Sequence, residues 1–142
     1  MATIQWFPGH MSKARRQVQE NLKFVDFVTV LVDARLPLSS QNPMLTKIVG
    51  DKPKLMILNK VDLADPVATK EWQDYFESQG IKPLAINSKE QSTVKKVTDA
   101  AKSLMADKIA RQKERGIQIE TLRTMIIGIP NAGKSTLMNR LA

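Results

Sequence analysis

The stretch MIIGIPNAGKSTLMNRLA, Met125 to Ala142, is the most informative part of the chain for the fold. A short apolar strand runs into a glycine-containing loop and then into a helix. Gly128, Gly133, Lys134 and Ser135 match the pattern G-x-x-x-x-G-K-[ST], in the strand, loop and helix context that the pattern requires. The glycines let the backbone curl so that successive N–H groups face a phosphate, and the helix N-terminus adds its dipole. The sequence therefore predicts a phosphate-binding loop.

Two side chains of this loop are predicted to have separate tasks. Lys134 would act catalytically by reaching the β- and γ-phosphate oxygens of a nucleotide, and Ser135 would ligate magnesium. The predicted phosphate-binding residues are Asn131, Ala132, Gly133, Lys134, Ser135 and Thr136. An ordinary glycine-rich turn is the competing interpretation. A chance match in a chain of this length is rare, on the order of one in a few hundred at average residue frequencies.

The composition is that of a soluble globular protein with one core. The 142 residues are 42% hydrophobic and 25% charged, and no apolar run is long enough to cross a membrane. The chain has no cysteine for a disulfide framework and no secretory signal, so we expect a cytoplasmic protein. The net charge of +8 favours polyanionic partners such as RNA, although a solvated basic surface explains it equally well.

Predicted strands and helices alternate along the chain. The predicted strands are Phe27 to Arg35, Lys54 to Asp62, Ile81 to Lys89 and Leu122 to Ile127. The predicted helices are a basic amphipathic one from Ser12, a short one from Asn42 to Gly50, one from Pro66 to Gly80 capped by Asp65, a long basic one from Thr93 to Gly116, and one from Lys134. This alternation predicts an α/β fold with a mostly parallel sheet and helices on both faces. Ligands of such sheets bind beyond the carboxyl ends of the strands.

The sequence NKVD, Asn59 to Asp62, lies at one such strand end, and its chemistry suits guanine. The Asp62 carboxylate can accept hydrogen bonds from the ring N–H and the exocyclic amine of guanine, whereas adenine would leave this buried acceptor unpaired. Asn59 can add an amide hydrogen bond, and the stem of Lys60 can cover the base plane. Alone, these four residues are equally typical of a polar turn. Because the phosphate-binding loop occurs in the same chain, we favour a guanine site.

Together the two motifs resemble those of the GTPase superfamily. INSK, Ile86 to Lys89, is similar to the third base loop of these proteins, which usually reads Ser-Ala-Lys, with Asn87 and Ser88 in the first two positions. The resemblance implies that Asn87 and Ser88 bind the base. The base motifs precede the phosphate loop here, the reverse of the ordinary order. The chain therefore resembles a circularly permuted GTPase, which implies a P-loop GTPase-like three-layer sandwich.

Three segments are similar to the ribosome biogenesis GTPase A family: IQWFPGHMSKARRQV, VDARLPLSSQNP and GIPNAGKSTLMNRL. The similarity extends over essentially the whole chain. It implies GTP/GDP and Mg²⁺ as cofactors, and GTP hydrolysis coupled to assembly of the bacterial large (50S) ribosomal subunit. The expected partners are the precursor of that subunit and rRNA.

The resemblance also implies that residues 1–142 are the N-terminal part of the GTPase domain. The switch segments and a C-terminal helical RNA-binding region would then lie beyond Ala142. We expect the fragment alone to be inactive and to have an exposed sheet edge. Its oligomeric state stays open.

His10 is the sole histidine and lies in FPGHM, just before the first predicted helix. By itself it is typical of a capping or surface residue. The family resemblance instead implies a catalytic role in orienting the attacking water. We expect Trp6 and Phe7 to belong to the core. Asp33 and Arg35 are predicted to form a structural pair without a catalytic role.

Two other functions fit the sequence. The chain could belong to an ATP-dependent P-loop enzyme in which NKVD is accidental. It could also be a non-catalytic module whose phosphate loop holds GDP or an RNA phosphate. Competition between ATP and GTP and a measurement of turnover distinguish the three hypotheses.

Overall fold

The computed structural model describes residues 3–9, 20, 22–35, 52–117, 121–128 and 134–141. The strands are β1 (Thr3–Gly9), β2 (Phe27–Asp33), β3 (Lys54–Asn59), β4 (Lys82–Ala85) and β5 (Thr121–Gly128). The helices are α1 (Pro66–Ser78), α2 (Thr93–Leu104), α3 (Ala106–Glu114) and α4 (Lys134–Leu141), and a 3₁₀ turn spans Val61–Leu63. None of the helices described is long and apolar enough to cross a bilayer.

The five strands form one sheet in the order β1-β5-β2-β3-β4. Every neighbouring pair is parallel, as the alternation of strands and helices predicted. The central strands β2, β3 and β5 are almost entirely buried because both faces of the sheet are covered.

Successive apolar residues of β2, β3 and β5 belong to cores on opposite faces of the sheet. Val28, Val30 and Val32 of β2 pack in one core with Phe76 of α1. The alternate positions, which include Phe27, pack in a second core with residues of α2 and α4. The residues of this second core include Phe27, Leu31, Leu55, Ile57, Val97, Ala101, Leu122, Ile126 and Leu137. The predicted three-layer sandwich is therefore confirmed.

Helix α1 has the start and end that its sequence predicts. The Asp65 side chain accepts a hydrogen bond of 3.1 Å from the Val67 N–H, and Pro66 occupies the first helical position. Phe76 is buried and stacks on Trp72, with ring centroids 5.7 Å apart. Gly80 ends the helix with φ +78°, a value that glycine adopts without steric cost.

Two differences from the sequence prediction concern element boundaries. The helix predicted from Thr93 to Gly116 is broken at Met105, whose φ of −98° and ψ of 6° depart from α-helical values. The break was missed because Val97 and Ala101 before it and Ile109 after it pack into the same core, so the apolar periodicity continues across it. The strand predictions also ran into the loops, since β3 ends at Asn59 and β4 at Ala85.

A third difference is β1, which was not predicted. It pairs with β5, and β1 and β4 are the edge strands of the described sheet. Each edge strand contains a proline, Pro8 or Pro83. Proline lacks a backbone N–H and is tolerated at sheet edges, where it opposes pairing with further strands. The helices predicted from Ser12 and from Asn42 to Gly50 lie mostly or wholly outside the described residues.

Candidate nucleotide-binding site

The carboxyl ends of the strands bring the predicted motifs to one edge of the sheet. Asp33 at the end of β2 is level with Asn59 at the end of β3. Leu31 is level with Gly128, which ends β5 and precedes the phosphate-binding loop. The base motif and the strand that enters the phosphate loop thus leave the sheet on the same side, with β2 between them.

Asn59 connects the base motif to the loop after β4. Its side chain is buried, and its Oδ1 accepts a hydrogen bond of 3.0 Å from the Ser88 N–H. Its backbone carbonyl accepts a further bond of 2.7 Å from the Ala34 N–H. Asn59, at the end of β3, is therefore bonded to the segment after β2 through Ala34 and to the segment after β4 through Ser88.

The loop after β4 has a shape set by its own side chains. Asn87 Oδ1 accepts from the Lys89 N–H at 3.1 Å, and the Thr93 hydroxyl donates to the Asn87 carbonyl at 2.9 Å. The Ile86 carbonyl accepts from the Val61 N–H at 3.1 Å, which fastens the loop to the base motif. Ser88 is buried beside Asn59. The Asn87 Oδ1 atom is thus bonded within its own loop, and the Ser88 backbone contacts the base motif.

Lys60, the second residue of NKVD, has a left-handed backbone with φ 62° and ψ 37°. Such a conformation costs a residue with a side chain roughly 1–2 kcal/mol, and strain of this kind is concentrated at functional sites. The Lys60 ammonium lies 3.5 Å from Asp33 Oδ2. The turn at Lys60 leads into Val61–Leu63, where the Asp62 side chain is exposed and able to contact a ligand.

Asp33 and Arg35 form the structural pair that the sequence predicted. The guanidinium donates from Nε to Asp33 Oδ1 at 3.0 Å and from Nη2 to Oδ2 at 2.7 Å. The Arg35 guanidinium, with smaller help from the Arg35 N–H and the Lys60 charge, lowers the pKa of Asp33 to about 2 against the effect of burial. The Asp33 carboxylate in turn raises the pKa of Arg35, and the charge of Asp62 adds to that effect. Two charged residues of the base motif, Lys60 and Asp62, therefore interact with the Asp33–Arg35 pair.

Helix α4 follows the phosphate-binding pattern and reaches the base loop. Ser135 and Thr136 are exposed in its first turn. Near its other end, Arg140 donates from Nε to the Ser88 carbonyl at 2.9 Å and from Nη2 to the Lys89 carbonyl. Sequence reasoning missed Arg140, because no local pattern relates it to a loop that is 52 residues away.

Some of the predicted site residues lie outside the part of the chain that the structure describes. His10, Asn131, Ala132 and Gly133 lie outside the described residues, as does the side chain of Lys134. The described part therefore brings together Asn59, Lys60, Asp62, Asn87 and Ser88, with the helix that carries Ser135 and Thr136 attached to them.

Comparison with known proteins gives consistent matches. A family model described as 50S ribosome-binding GTPase matches residues 123–142. Ribosome biogenesis GTPase A from Bacillus pumilus is 54% identical over 140 residues, which cover 99% of this chain and 50% of that protein. The crystal structure of GNP-bound YlqF from T. maritima matches with a TM-score of 0.59 and 28% identity, over 92% of this chain and 48% of that one. For a GDP-bound structure of the same protein the TM-score is 0.58 at 27% identity, over 89% of this chain and 47% of that one.

The parallel sheet and the order of its motifs define the class of protein. The fold is that of a P-loop GTPase in circularly permuted form, with the base motifs ahead of the phosphate loop. Over almost its whole length the chain is similar to ribosome biogenesis GTPase A proteins of several bacilli. It spans about half the length of the curated relatives it matches.

Proposed function

We propose that this chain forms the base-binding and phosphate-binding part of a GTPase that acts in assembly of the large ribosomal subunit. The observation that carries the proposal is the hydrogen-bonded unit of Asn59, Ser88 and Arg140. It joins three segments that sequence patterns had assigned independently to one guanine nucleotide site. The names of the relatives, which refer to ribosome biogenesis and to a ribosome-binding GTPase, support the process.

In the proposed base site, Asp62 reads guanine. Its exposed carboxylate would accept hydrogen bonds from the ring N–H and the exocyclic amine, a pair of donors that adenine does not present there. The stem of Lys60 would cover the base plane, and its ammonium lies 3.5 Å from Asp33 Oδ2. Asn87 and Ser88 would approach the base from the neighbouring loop, chiefly with backbone groups, because the Asn87 oxygen is bonded to Lys89.

In the proposed phosphate site, the residues from Asn131 to Thr136 would enclose the β- and γ-phosphates of GTP or GDP. Lys134 would neutralise the charge that develops on transfer of the γ-phosphoryl group. The exposed Ser135 hydroxyl, at the second position of α4, suits Mg²⁺, which prefers hard oxygen ligands and takes few of them from protein. When bound, this ion would polarise the phosphate oxygens.

We propose that His10 orients the attacking water. Strand β1 places Gly9 level with Ile127, one residue before the end of β5, and His10 follows Gly9 in the sequence. This register supports a position beside the phosphate loop. Orientation of the water is sufficient, because phosphoryl transfer depends chiefly on positioning and charge stabilisation.

Multiple-turnover phosphate release by the full-length gene product tests this function. We expect GTP to be hydrolysed in preference to ATP, and His10→Ala to lower kcat by about 100-fold, the lower end of the range for a positioned proton-transfer group. GTP binding by His10→Ala should be unchanged. Equal hydrolysis of ATP would favour an ATP-dependent P-loop enzyme, and an absence of turnover would favour a binding module. Full activity of His10→Ala would contradict the role of His10 alone.

The proposed partner is a precursor of the large ribosomal subunit, contacted in part through rRNA. Helices α2 and α3 and the residue after them carry basic side chains that are exposed or half-buried: Lys95, Lys96, Lys102, Lys108, Arg111, Lys113 and Arg115. Two of them are already paired, Lys96 with Glu90 at 3.6 Å and Lys108 with Asp26 at 2.8 Å. Basic side chains gathered on two successive helices are suited to phosphate contacts. A cytoplasmic location is part of this proposal.

A further inference from the structure

Arg140 is the point at which the helix of the phosphate site touches the loop of the base site. Its Nε and Nη2 atoms donate to two successive backbone carbonyls, those of Ser88 and Lys89. Lys134 and Arg140 are six residues apart in α4, which is about 9 Å along a helix. One short rigid element thus extends from the proposed phosphate site to the base loop.

The Ser88 residue is held from both sides. Its N–H donates to Asn59 Oδ1 at 3.0 Å, while its carbonyl accepts from Arg140 Nε at 2.9 Å. Asn59 belongs to the base motif and Arg140 to the phosphate helix. The backbone of the base loop is therefore fixed between the two other parts of the site.

The interaction uses properties that only arginine has. A guanidinium presents several donors in a planar fork, so it can bond two neighbouring carbonyls at once, and a lysine ammonium cannot reproduce this geometry. Among the described residues, no carboxylate forms an ion pair with Arg140. Its hydrogen bonds are thus directed at the loop rather than at a surface ion pair.

We propose that Arg140 is a positioning residue for guanine recognition. It sets the place of the Ser88 and Lys89 backbone relative to the phosphate helix, so that base and phosphates of one nucleotide are bound in register. This inference rests on the proposed function, because it requires a guanine nucleotide in the site. It adds that selectivity for the base depends on a residue from the phosphate side.

The test is calorimetric titration of the full-length gene product with GDP, ADP and inorganic tripolyphosphate. For Arg140→Ala we expect the affinity for GDP to fall about tenfold, as the loss of a charged hydrogen-bond donor implies. The affinity for tripolyphosphate should stay within about twofold of the native value, because its groups do not reach the base loop. The preference for GDP over ADP should decrease by the same factor as the GDP affinity.

Arg140→Lys keeps the charge without the fork, so its GDP affinity should lie between those of Arg140→Ala and the native protein. Lys70→Ala is the matched control. Lys70 is an exposed helical cation whose ammonium pairs with Asp74 of its own helix at 3.3 Å. We expect Lys70→Ala to bind all three ligands as the native protein does.

Several outcomes would overturn the inference. An unchanged preference for GDP in Arg140→Ala would show that the base loop does not depend on Arg140. An equal loss of tripolyphosphate binding would show that Arg140 supports the helix or the fold in general. If Arg140→Ala fails to fold, the GDP preference of Arg140→Lys is compared with that of the native protein, and an unchanged preference would again contradict the inference. A native protein that binds ADP as tightly as GDP would instead contradict the proposed function itself.

Discussion

At the scale of single residues, Asn59 shows how one buried amide organises a site. Its oxygen pairs with the Ser88 N–H, so a neighbouring loop depends on this side chain. Asn59→Ala leaves the Ser88 N–H without that acceptor, and we expect the free energy of unfolding to fall by about 1–3 kcal/mol, the cost of an unsatisfied buried group. Urea unfolding measures the change. A loss below about 0.5 kcal/mol would contradict the account, since surface substitutions reach that size.

Asp33 makes a prediction about acid. Its pKa is about 2 in the folded protein against an ordinary value of 3.8, so its network with Arg35 and Lys60 stabilises the fold above about pH 4. That contribution is lost as the pH falls through 2, when the folded carboxylate takes up its proton. Asp33→Asn should therefore be less stable than the native protein at pH 7, and the difference should shrink below pH 4. Urea midpoints at pH 7, 4 and 3 test this, and a constant difference would contradict it.

At the scale of elements, a hydroxyl pair joins two central strands. Thr29 of β2 and Thr124 of β5 are fully buried, and their Oγ1 atoms lie 2.9 Å apart. Thr29→Val or Thr124→Val alone should cost about 1–3 kcal/mol, because one hydroxyl loses its partner. The double variant should be close to native stability, since both polar groups are removed together. Additive losses in this double-mutant cycle would show that the hydroxyls do not depend on each other.

The elements also show what the sequence could predict. β2, β3 and α1 have strong local signals, namely continuous runs that are mostly apolar or an Asp65 cap followed by Pro66, and these elements were confirmed. β1 was missed because Pro8 and Gly9 are typical of loops, and only pairing with β5 makes its segment a strand. The break at Met105 was missed because the apolar periodicity continues across it.

The same limit applies to the site. NKVD and the loop from Asn131 to Thr136 could be assigned from residue types and spacing, because each is a local motif. The bond from Asn59 to Ser88 and those from Arg140 to the same loop join residues 29 and 52 positions apart. Such contacts depend on the sheet order and register, which local patterns do not contain. The resemblance assigned Asn87 to the base, and the structure adds that its Oδ1 accepts a hydrogen bond from the Lys89 N–H of the same loop.

At the scale of the whole molecule, the site belongs to no single element. It lies where β2, β3, β4 and β5 end, and α4 connects its two halves. Two cores on opposite faces of the sheet hold those strand ends in register. Circular permutation changes the order of the motifs along the chain, but a parallel sheet still brings them to the same edge. This explains how base motifs that precede the phosphate loop can serve one nucleotide.

The central claim is that Asp62 reads guanine in a permuted GTPase site, and the most direct measurement is nucleotide affinity. GTP, ATP and XTP are titrated into the native full-length gene product and into Asp62→Asn, a change at an exposed side chain that the fold should tolerate. We expect the native protein to prefer GTP, and the variant to prefer XTP, because an asparagine amide can donate to the additional carbonyl of xanthine. Equal binding of ATP and GTP, with no effect of Asp62→Asn, would contradict the account.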